Sequence, residues 1–164
     1  MKIIDNFLSE KYFKTIQDHM MGFLFPWMWC DGINDPGDGG WQLCNAMYDR
    51  DGVGIQDEFF GVVEPMLHEM DKHVSVKELL RIKANLNPKT IEHQHGGFHV
   101  DYNDATTGIF YINTNNGWTN FKNGAKVESV ENRMVIFDSS LEHEGVTCTD
   151  EDRRVLINFN YVPA

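Results

Sequence analysis

The sequence predicts a mainly β protein with helices confined to its N-terminal half. Apolar residues recur at helical spacing only before about residue 75, and from Val76 onward the apolar pattern changes to a period of two. The later part consists of short alternating segments separated by turns with Gly and Asn, which is typical of a β-sandwich or barrel. We therefore expect one domain over residues 1–164, with helical support over about 1–75 and a β core over about 76–164.

Two helices are predicted before the β core. The first begins after Ser9, whose hydroxyl suits an N-cap, and ends at Gly22. Its apolar positions at helical spacing are Phe13, Ile16 and Met20. The second helix is predicted over Ile55–Lys72, where Pro65 indicates either a kink or the start of a further helix.

The predicted β core begins with an alternating strand that ends at Pro88. A separate strand is predicted earlier, at Trp41–Tyr48. The glycine-rich segment Asp31–Gly40 before it predicts a loop, either a lid over a site or a surface connection. The later strands are predicted at Gly97–Tyr102, Thr106–Asn113, Trp118–Phe121, Arg133–Asp138, Gly145–Thr147 and Arg154–Val162.

The charge balance disfavours nucleic acid as a partner. Asp and Glu number 25 against 14 Lys and Arg, so the formal net charge is −11. A surface of that sign repels phosphate backbones, and the sequence has no cluster of Lys or Arg to offset it.

The cysteines and the apolar segments predict a cytoplasmic protein with no membrane partner. Cys30, Cys44 and Cys148 contain no C-x-x-C pair, which disfavours a zinc ribbon or a redox dithiol and predicts reduced thiols. The first residues lack the apolar core of a signal peptide. The most apolar run, Met20–Trp29, is shorter than the roughly 20 residues needed to cross a bilayer.

A metal site is predicted around His99, Asp101 and His143. Alternate side chains of a strand point to the same face, so His99 and Asp101 are expected to project together. His143 is expected to supply a second imidazole from a neighbouring strand. Two imidazoles and one carboxylate on one side of an ion form the facial triad associated with non-haem Fe(II) oxygenases. Mn(II), Co(II) and Ni(II) suit the same ligands, so the sequence leaves the metal open.

A rival metal site uses the neighbouring histidines. His93 and His95, taken with His99 and His143, resemble the histidine pattern of a cupin, although the usual Glu shortly after the pair is missing. His93 and His95 are expected instead to form a polar turn or to lie at the mouth of the site.

From about Leu79 to Tyr161, the chain resembles the 2-oxoglutarate and Fe(II)-dependent dioxygenases, in particular the prolyl 4-hydroxylase-like branch. The resemblance is carried by the H-x-D at His99, the distal His143 within Glu142–Val146, and an Arg that opens the last strand. It implies a double-stranded β-helix, which is a jelly-roll variant. It also implies three iron ligands: His99, Asp101 and His143.

The resemblance further implies that Fe(II), 2-oxoglutarate and O₂ take part in the reaction, with ascorbate as a further candidate cofactor. In that chemistry 2-oxoglutarate is converted to succinate and CO₂ while a substrate C–H bond is hydroxylated. A prolyl residue of a peptide is the first substrate class implied, and a free amino acid or other small molecule is the second. The sequence leaves the oligomeric state open.

The distal carboxylate of 2-oxoglutarate is expected to bind an arginine at the start of the last strand. A guanidinium offers two parallel donors to a carboxylate. The family pattern favours Arg154, whereas apolar alternation alone groups Arg153 with the buried positions and leaves the choice open. The resemblance also assigns Tyr111 to the same carboxylate, and Asn158 lies on the same face as Arg154.

The expected substrate pocket includes Lys83, Asn85 and Asn87 on the first core strand, although a solvated strand face is the alternative for Lys83. Two other function classes stay open at this level. One is a non-catalytic jelly-roll binding module that binds no 2-oxoglutarate. The other is a cupin-type metalloenzyme. A nucleic-acid demethylase of the same superfamily is disfavoured by the acidic charge.

Overall fold

A computed structural model of the chain describes residues 1–52, 54–55 and 57–164. These residues form two helices, α1 (Glu10–Met21) and α2 (Asp57–Asp71). They also form eleven strands: β1 (Lys2–Ile4), β2 (Met28–Asp31), β3 (Trp41–Asp49), β4 (Gly54–Ile55), β5 (Val76–Pro88), β6 (Thr106–Tyr111), β7 (Trp118–Phe121), β8 (Lys126–Glu128), β9 (Arg133–Asp138), β10 (His143–Val146) and β11 (Arg153–Pro163).

The strands form two antiparallel sheets. The major sheet has the order β1-β9-β6-β11-β5-β3-β2, with β4 paired to β3, and the minor sheet has the order β10-β7-β8. An apolar cluster joins the two sheets, because Phe121 and Val127 of the minor sheet pack against Ile109, Val135 and Leu156 of the major sheet. Two antiparallel sheets packed face to face confirm the predicted jelly-roll core.

The larger apolar core lies on the opposite face of the major sheet, beneath the helices. Ile16 of α1 and Met66 and Met70 of α2 pack there against Ile157 and Phe159 of β11. All five side chains are fully buried. Since side chains alternate along a strand, the residues between these β11 positions face the minor sheet. The strand therefore has an apolar face toward the helices and a second face toward the interior between the sheets.

The first helix prediction is confirmed: α1 has Ser9 as its N-cap residue and Gly22 after its last turn. The second helix begins later than predicted, because Ile55 belongs to β4, while Gln56 lies outside the described residues. Pro65 lies inside one continuous helix, so the prediction of a further helix starting there is wrong.

Six of the predicted core strands are confirmed, but the strand predicted at Gly97–Tyr102 is wrong. This segment is a loop that touches β10 through a single bridge, in which His99 and His143 exchange backbone hydrogen bonds of 3.0 Å. Gly97 has a φ of +85°, which is outside the extended range and interrupts any ladder. Strand β8 has only three residues and is not predicted from the sequence.

The prediction of reduced cysteines is wrong for one pair. Cys30 of β2 and Cys44 of β3 form a disulfide, with Cα atoms 6.4 Å apart. The two strands pair with Met28 opposite Cys44, and this register places Cys30 close to Cys44. The spacing of the cysteines in the sequence does not predict that proximity. Cys148 is free and buried. The cytoplasmic location and the division into support and core stay predictions.

None of the described helices combines the length and the apolar character needed to cross a bilayer.

Replacing Ile157 with Ala is expected to lower the free energy of unfolding by about 2–5 kcal/mol, because the side chain is fully buried and its removal leaves a cavity. The matched control is Ile91→Ala, at a fully exposed position, with an expected change within about 0.5 kcal/mol. Urea denaturation followed by circular dichroism measures both. Equal effects of the two substitutions would contradict this assignment of the core.

Candidate metal centre

His99, Asp101 and His143 converge on one point. His99 Nε2 lies 3.7 Å from Asp101 Oδ1, and His143 Nε2 lies 3.8 Å from Asp101 Oδ2. One ligand atom from each residue lies within 4.8 Å of the other two. Two imidazole nitrogens and one carboxylate oxygen at these separations suit a transition metal whose remaining positions stay open.

Both histidines present the same ring nitrogen to the site. His143 Nδ1 donates to the carbonyl oxygen of Leu141 at 3.0 Å, and His99 Nδ1 donates to that of Gly97 at 3.2 Å. Because these nitrogens carry the proton, each Nε2 keeps its lone pair for a ligand. Burial lowers the pKa of His143, which favours the neutral, metal-binding form of its imidazole.

A hydrogen-bond network fixes the carboxylate of Asp101. Asp101 Oδ2 accepts hydrogen bonds from Thr107 Oγ1 (2.9 Å) and Asn160 Nδ2 (3.0 Å), while Arg81 Nη2 lies 3.4 Å from Oδ1. Burial alone raises the pKa of Asp101, but the charge of Arg81 and the hydrogen bond from Asn160 act against it and lower the pKa. The pKa therefore lies below its ordinary value, and Asp101 is a carboxylate at neutral pH.

Glu144 holds the loop that carries His99. Its buried carboxylate accepts hydrogen bonds from His95 Nδ1 (2.6 Å), Asn120 Nδ2 (3.0 Å) and the backbone N–H of Gly97 (3.2 Å). Burial raises the pKa of Glu144, but these hydrogen bonds outweigh it and lower the pKa overall. The loop is thereby tied to β10, the strand whose first residue is His143.

The triad lies on the wall of a cavity of about 970 Å³ between the two sheets. Its other walls come from β5, β10, β11 and the segment before β3. The predicted substrate-pocket residues Lys83, Asn85 and Asn87 line it. So do two of the predicted cosubstrate-binding residues, Arg154 and Asn158.

Arg154, and not Arg153, faces this cavity. Arg154 is 1% exposed, with Nε donating to Ser129 Oγ (2.9 Å) and Nη2 donating to Thr119 Oγ1 (3.1 Å). No carboxylate of the described residues pairs with it. Arg153 instead donates to the carbonyl oxygen of Met21 at the end of α1. The two arginines therefore lie on opposite sides of the major sheet.

Tyr111 lies behind the cavity wall. Its hydroxyl is 2.7 Å from Thr119 Oγ1, and the Arg154 guanidinium carbon lies 5.6 Å from its ring centroid. Burial raises the pKa of Tyr111, outweighing the nearby charge of Arg154, so the hydroxyl stays protonated at neutral pH. A direct contact between Tyr111 and a cosubstrate stays a prediction.

The predicted cupin histidines do not join the triad. His93 Nδ1 bonds to the carbonyl oxygen of Thr147 (2.7 Å), and its ring packs against Trp118 at 4.7 Å. His95 is held by Glu144 and lines the cavity, as expected for a residue at the mouth of the site. Among the residues that the structure describes, the group that could hold a metal ion consists of His99, Asp101 and His143.

The loop between β2 and β3 lines part of the cavity, and its role as a lid stays a prediction. Asn34 Nδ2 donates to the carbonyl oxygens of Gly96 (2.7 Å) and Gly97 (3.0 Å), next to the metal ligands. Asp38 shapes the loop by accepting backbone hydrogen bonds from Asn34 and Gly40, which lower the pKa of its carboxyl to about 2.

The residues that support the triad are not predicted from the sequence, and neither is a contact between Arg81 and Asp101. The supporting residues are Thr107, Asn160, Glu144 and Asn34. A signal existed for Asn160, which shares the strand face of Arg154 and Asn158. No comparable pattern marks Thr107 or Glu144, because their contacts depend on pairing between distant strands.

No protein-family model and no curated protein matches the chain. Solved structures do match it. A prolyl-4-hydroxylase from Pseudomonas putida is 13% identical, with 99% of this chain and 92% of that chain covered and a TM-score of 0.60. A prolyl hydroxylase from Trichoplax adhaerens, in complex with a peptide fragment of the oxygen degradation domain of hypoxia inducible factor, is 13% identical over 98% and 83%, with a TM-score of 0.59.

A further match is an oxidoreductase of the 2OG-Fe(II) oxygenase family from Burkholderia pseudomallei. It is 11% identical over 90% of this chain and 76% of that chain, with a TM-score of 0.60. These likenesses confirm the predicted fold, which is the double-stranded β-helix of the 2-oxoglutarate oxygenases. Prolyl hydroxylases are among the structures that match this chain.

Replacing Thr107 with Val is expected to weaken divalent metal binding about 10- to 100-fold, because it removes a hydrogen bond that orients Asp101. Thr106→Val on the opposite strand face is the matched control and is expected to leave affinity unchanged. Calorimetric titration with Mn(II) measures both. Equal affinities for the two variants would show that Thr107 has no part in positioning the ligand.

Proposed function

We propose that this protein is an Fe(II)- and 2-oxoglutarate-dependent oxygenase that hydroxylates a C–H bond of its substrate. One observation carries the proposal: a single cavity connects the His99–Asp101–His143 triad with Arg154. The guanidinium of Arg154 is buried and has no acidic partner among the described residues. A metal-binding triad and an unpaired buried cation together suit a cosubstrate that chelates metal at one end and carries a carboxylate at the other.

Fe(II) would be held by the two Nε2 atoms and the carboxylate of the triad. The donor set fits this ion, because imidazole and carboxylate suit iron and the absence of thiolates in the cluster argues against a structural zinc site. Bound iron supplies the activation of O₂. The protein's part is to keep Asp101 charged and oriented through Thr107 and Asn160, and to keep His143 neutral.

Arg154 would bind the distal carboxylate of 2-oxoglutarate. Burying a cation without a counter-charge is unfavourable, and a bound carboxylate removes that penalty while accepting two parallel hydrogen bonds. Ser129 and Thr119 orient the guanidinium, and Tyr111 in turn orients Thr119. A Cβ at Gly117 would lie 2.8 Å from Arg154 Cδ, so the close packing of this arginine requires glycine there.

The loop between β2 and β3 would exclude water from the reacting atoms. Its residues Ile33 and Gly40 line the cavity, and Asn34 ties the loop to the segment before His99. Exclusion of solvent protects a reactive centre from side reactions.

The substrate would be a prolyl residue or a free amino acid. Prolyl hydroxylases among the matching structures, one of them in complex with a peptide fragment, support the first class. The cavity is large enough for 2-oxoglutarate and a small substrate together.

Replacing Asp101 with Ala is expected to abolish metal-dependent formation of succinate from 2-oxoglutarate, because the triad loses its only carboxylate. Asp152→Ala, at an exposed position, is the control and is expected to retain full activity. Succinate is measured by mass spectrometry with and without Fe(II). Full activity of the Asp101 variant would refute the proposed iron site.

Replacing Arg154 with Met is expected to raise the required 2-oxoglutarate concentration about 10- to 100-fold, since a charged hydrogen-bond partner is lost. Arg154→Lys, which keeps the charge but not the paired donors, is expected to fall between wild type and Met. Arg153→Met is the neighbouring control. Its 2-oxoglutarate dissociation constant is expected within about twofold of wild type, because Arg153 lies on the opposite side of the major sheet from the cavity. Calorimetry on Mn(II)-loaded protein gives the dissociation constants, and an unchanged value for Arg154→Met would contradict the assignment.

A further inference from the structure

Three polar side chains in the cavity lack a partner within the part of the chain that the structure describes. The Oδ1 atoms of Asn85 and Asn158 are buried without a hydrogen bond. Lys83 lines the same cavity, and only longer-range charge interactions with Arg81 and Asp101 reach its ammonium group. Buried polar groups normally have a partner, which can be protein, water or ligand, so these side chains can bind a polar group that enters the cavity.

These three side chains are neighbours on one wall. In the pairing of β11 with β5, Asn158 lies opposite Lys83, and Asn85 follows two residues after Lys83 on the same strand face. Further along the same pair of strands, Arg154 lies at one end and Asn160, which reaches Asp101, lies at the other. Lys83, Asn85 and Asn158 therefore lie on the cavity wall between Arg154, the proposed cosubstrate anchor, and the proposed metal ligands.

Charge complementarity gives the sign of the ligand. Arg81 already pairs with Asp101, and the proposed function assigns Arg154 to 2-oxoglutarate. Among the described residues, Lys83 then remains as a cation that no carboxylate contacts directly, with Asp101 acting on it only at longer range, in a protein whose net charge is −11. Burial lowers the pKa of Lys83, with a smaller contribution from Arg81, as expected for an ammonium that a bound anion would stabilise.

We infer that Lys83, Asn85 and Asn158 bind a carboxylate of the primary substrate, so that the substrate is a small carboxylic acid, such as a free amino acid, and not an interior residue of a peptide. The inference rests on the proposed function and names the substrate class of that site. Lys83 supplies the charge. Each amide can donate through Nδ2 to the carboxylate or accept through Oδ1 from an amino group of the same molecule.

The test compares free acids with their amides. Protein loaded with Mn(II) and 2-oxoglutarate is titrated calorimetrically with a panel of free amino acids, including L-proline, and with the corresponding α-carboxamides. We expect at least one acid to bind wild-type protein at least about tenfold more tightly than its amide, the scale of one charged hydrogen bond. Lys83→Met is expected to remove that preference and to leave the dissociation constant of 2-oxoglutarate within about twofold.

Lys77→Met is the matched control, because Lys77 lies on the same strand at an exposed position. It is expected to keep the preference for the acid. Lys83→Gln serves the same comparison should Met lower the unfolding midpoint at this half-buried position.

Three results would overturn the inference: no acid bound more tightly than its amide, a preference that survives in the Lys83 variants, or a loss of 2-oxoglutarate affinity in those variants. The last result would make Lys83 a second cosubstrate anchor. Failure of the proposed function is distinguishable, because wild-type protein would then bind neither Mn(II) nor 2-oxoglutarate. In that case the same acid and amide titrations on metal-free protein test Lys83 alone, with the same results supporting or refuting the site.

Discussion

The antiparallel pairing of β5 with β11 is the interaction on which the rest of the structure depends. It runs from Arg153 opposite Pro88 to Pro163 opposite Val76. One face of the pair is apolar and packs beneath both helices, and the other face lines the cavity. A slip of one residue would exchange the two faces, placing the polar side chains in the core and the apolar ones in the cavity. The register therefore specifies the core and the site together.

The proposed metal ligands add a second requirement, because two of them lie on a loop. His99 and Asp101 have no strand ladder to hold them, apart from the single bridge between His99 and His143. Their geometry depends instead on buried hydrogen bonds from opposite directions: Glu144 holds the loop backbone, and Thr107 and Asn160 hold the ligand carboxylate. A site of this kind is only as rigid as the side chains that surround its ligands.

The sequence predicted the convergence of the triad for a reason that was partly wrong. Strand alternation predicts that His99 and Asp101 project from the same face, yet the segment that holds them is a loop. The H-x-D motif, and not strand alternation, therefore supports the correct prediction. For the two arginines, strand alternation correctly groups Arg153 with the apolar positions. That face of the strand packs against the helices, so the cavity lies on the other face, with Arg154. The disulfide of Cys30 and the role of Thr107 follow from strand register, which local sequence does not encode.

The same strands meet opposing energetic demands on their two faces. The Oδ1 atoms of Asn85 and Asn158 are buried without a partner among the described residues, and the buried guanidinium of Arg154 has no acidic partner among them, so the cavity face costs folding free energy. The apolar face offsets that cost, because Ile157 and Phe159 are fully buried against the helices. The N-terminal helices are thus a condition for the site, although they contribute no residue to it. The core stabilises the strands that carry the cavity, and the anions proposed to bind there would add to the stability of the folded state.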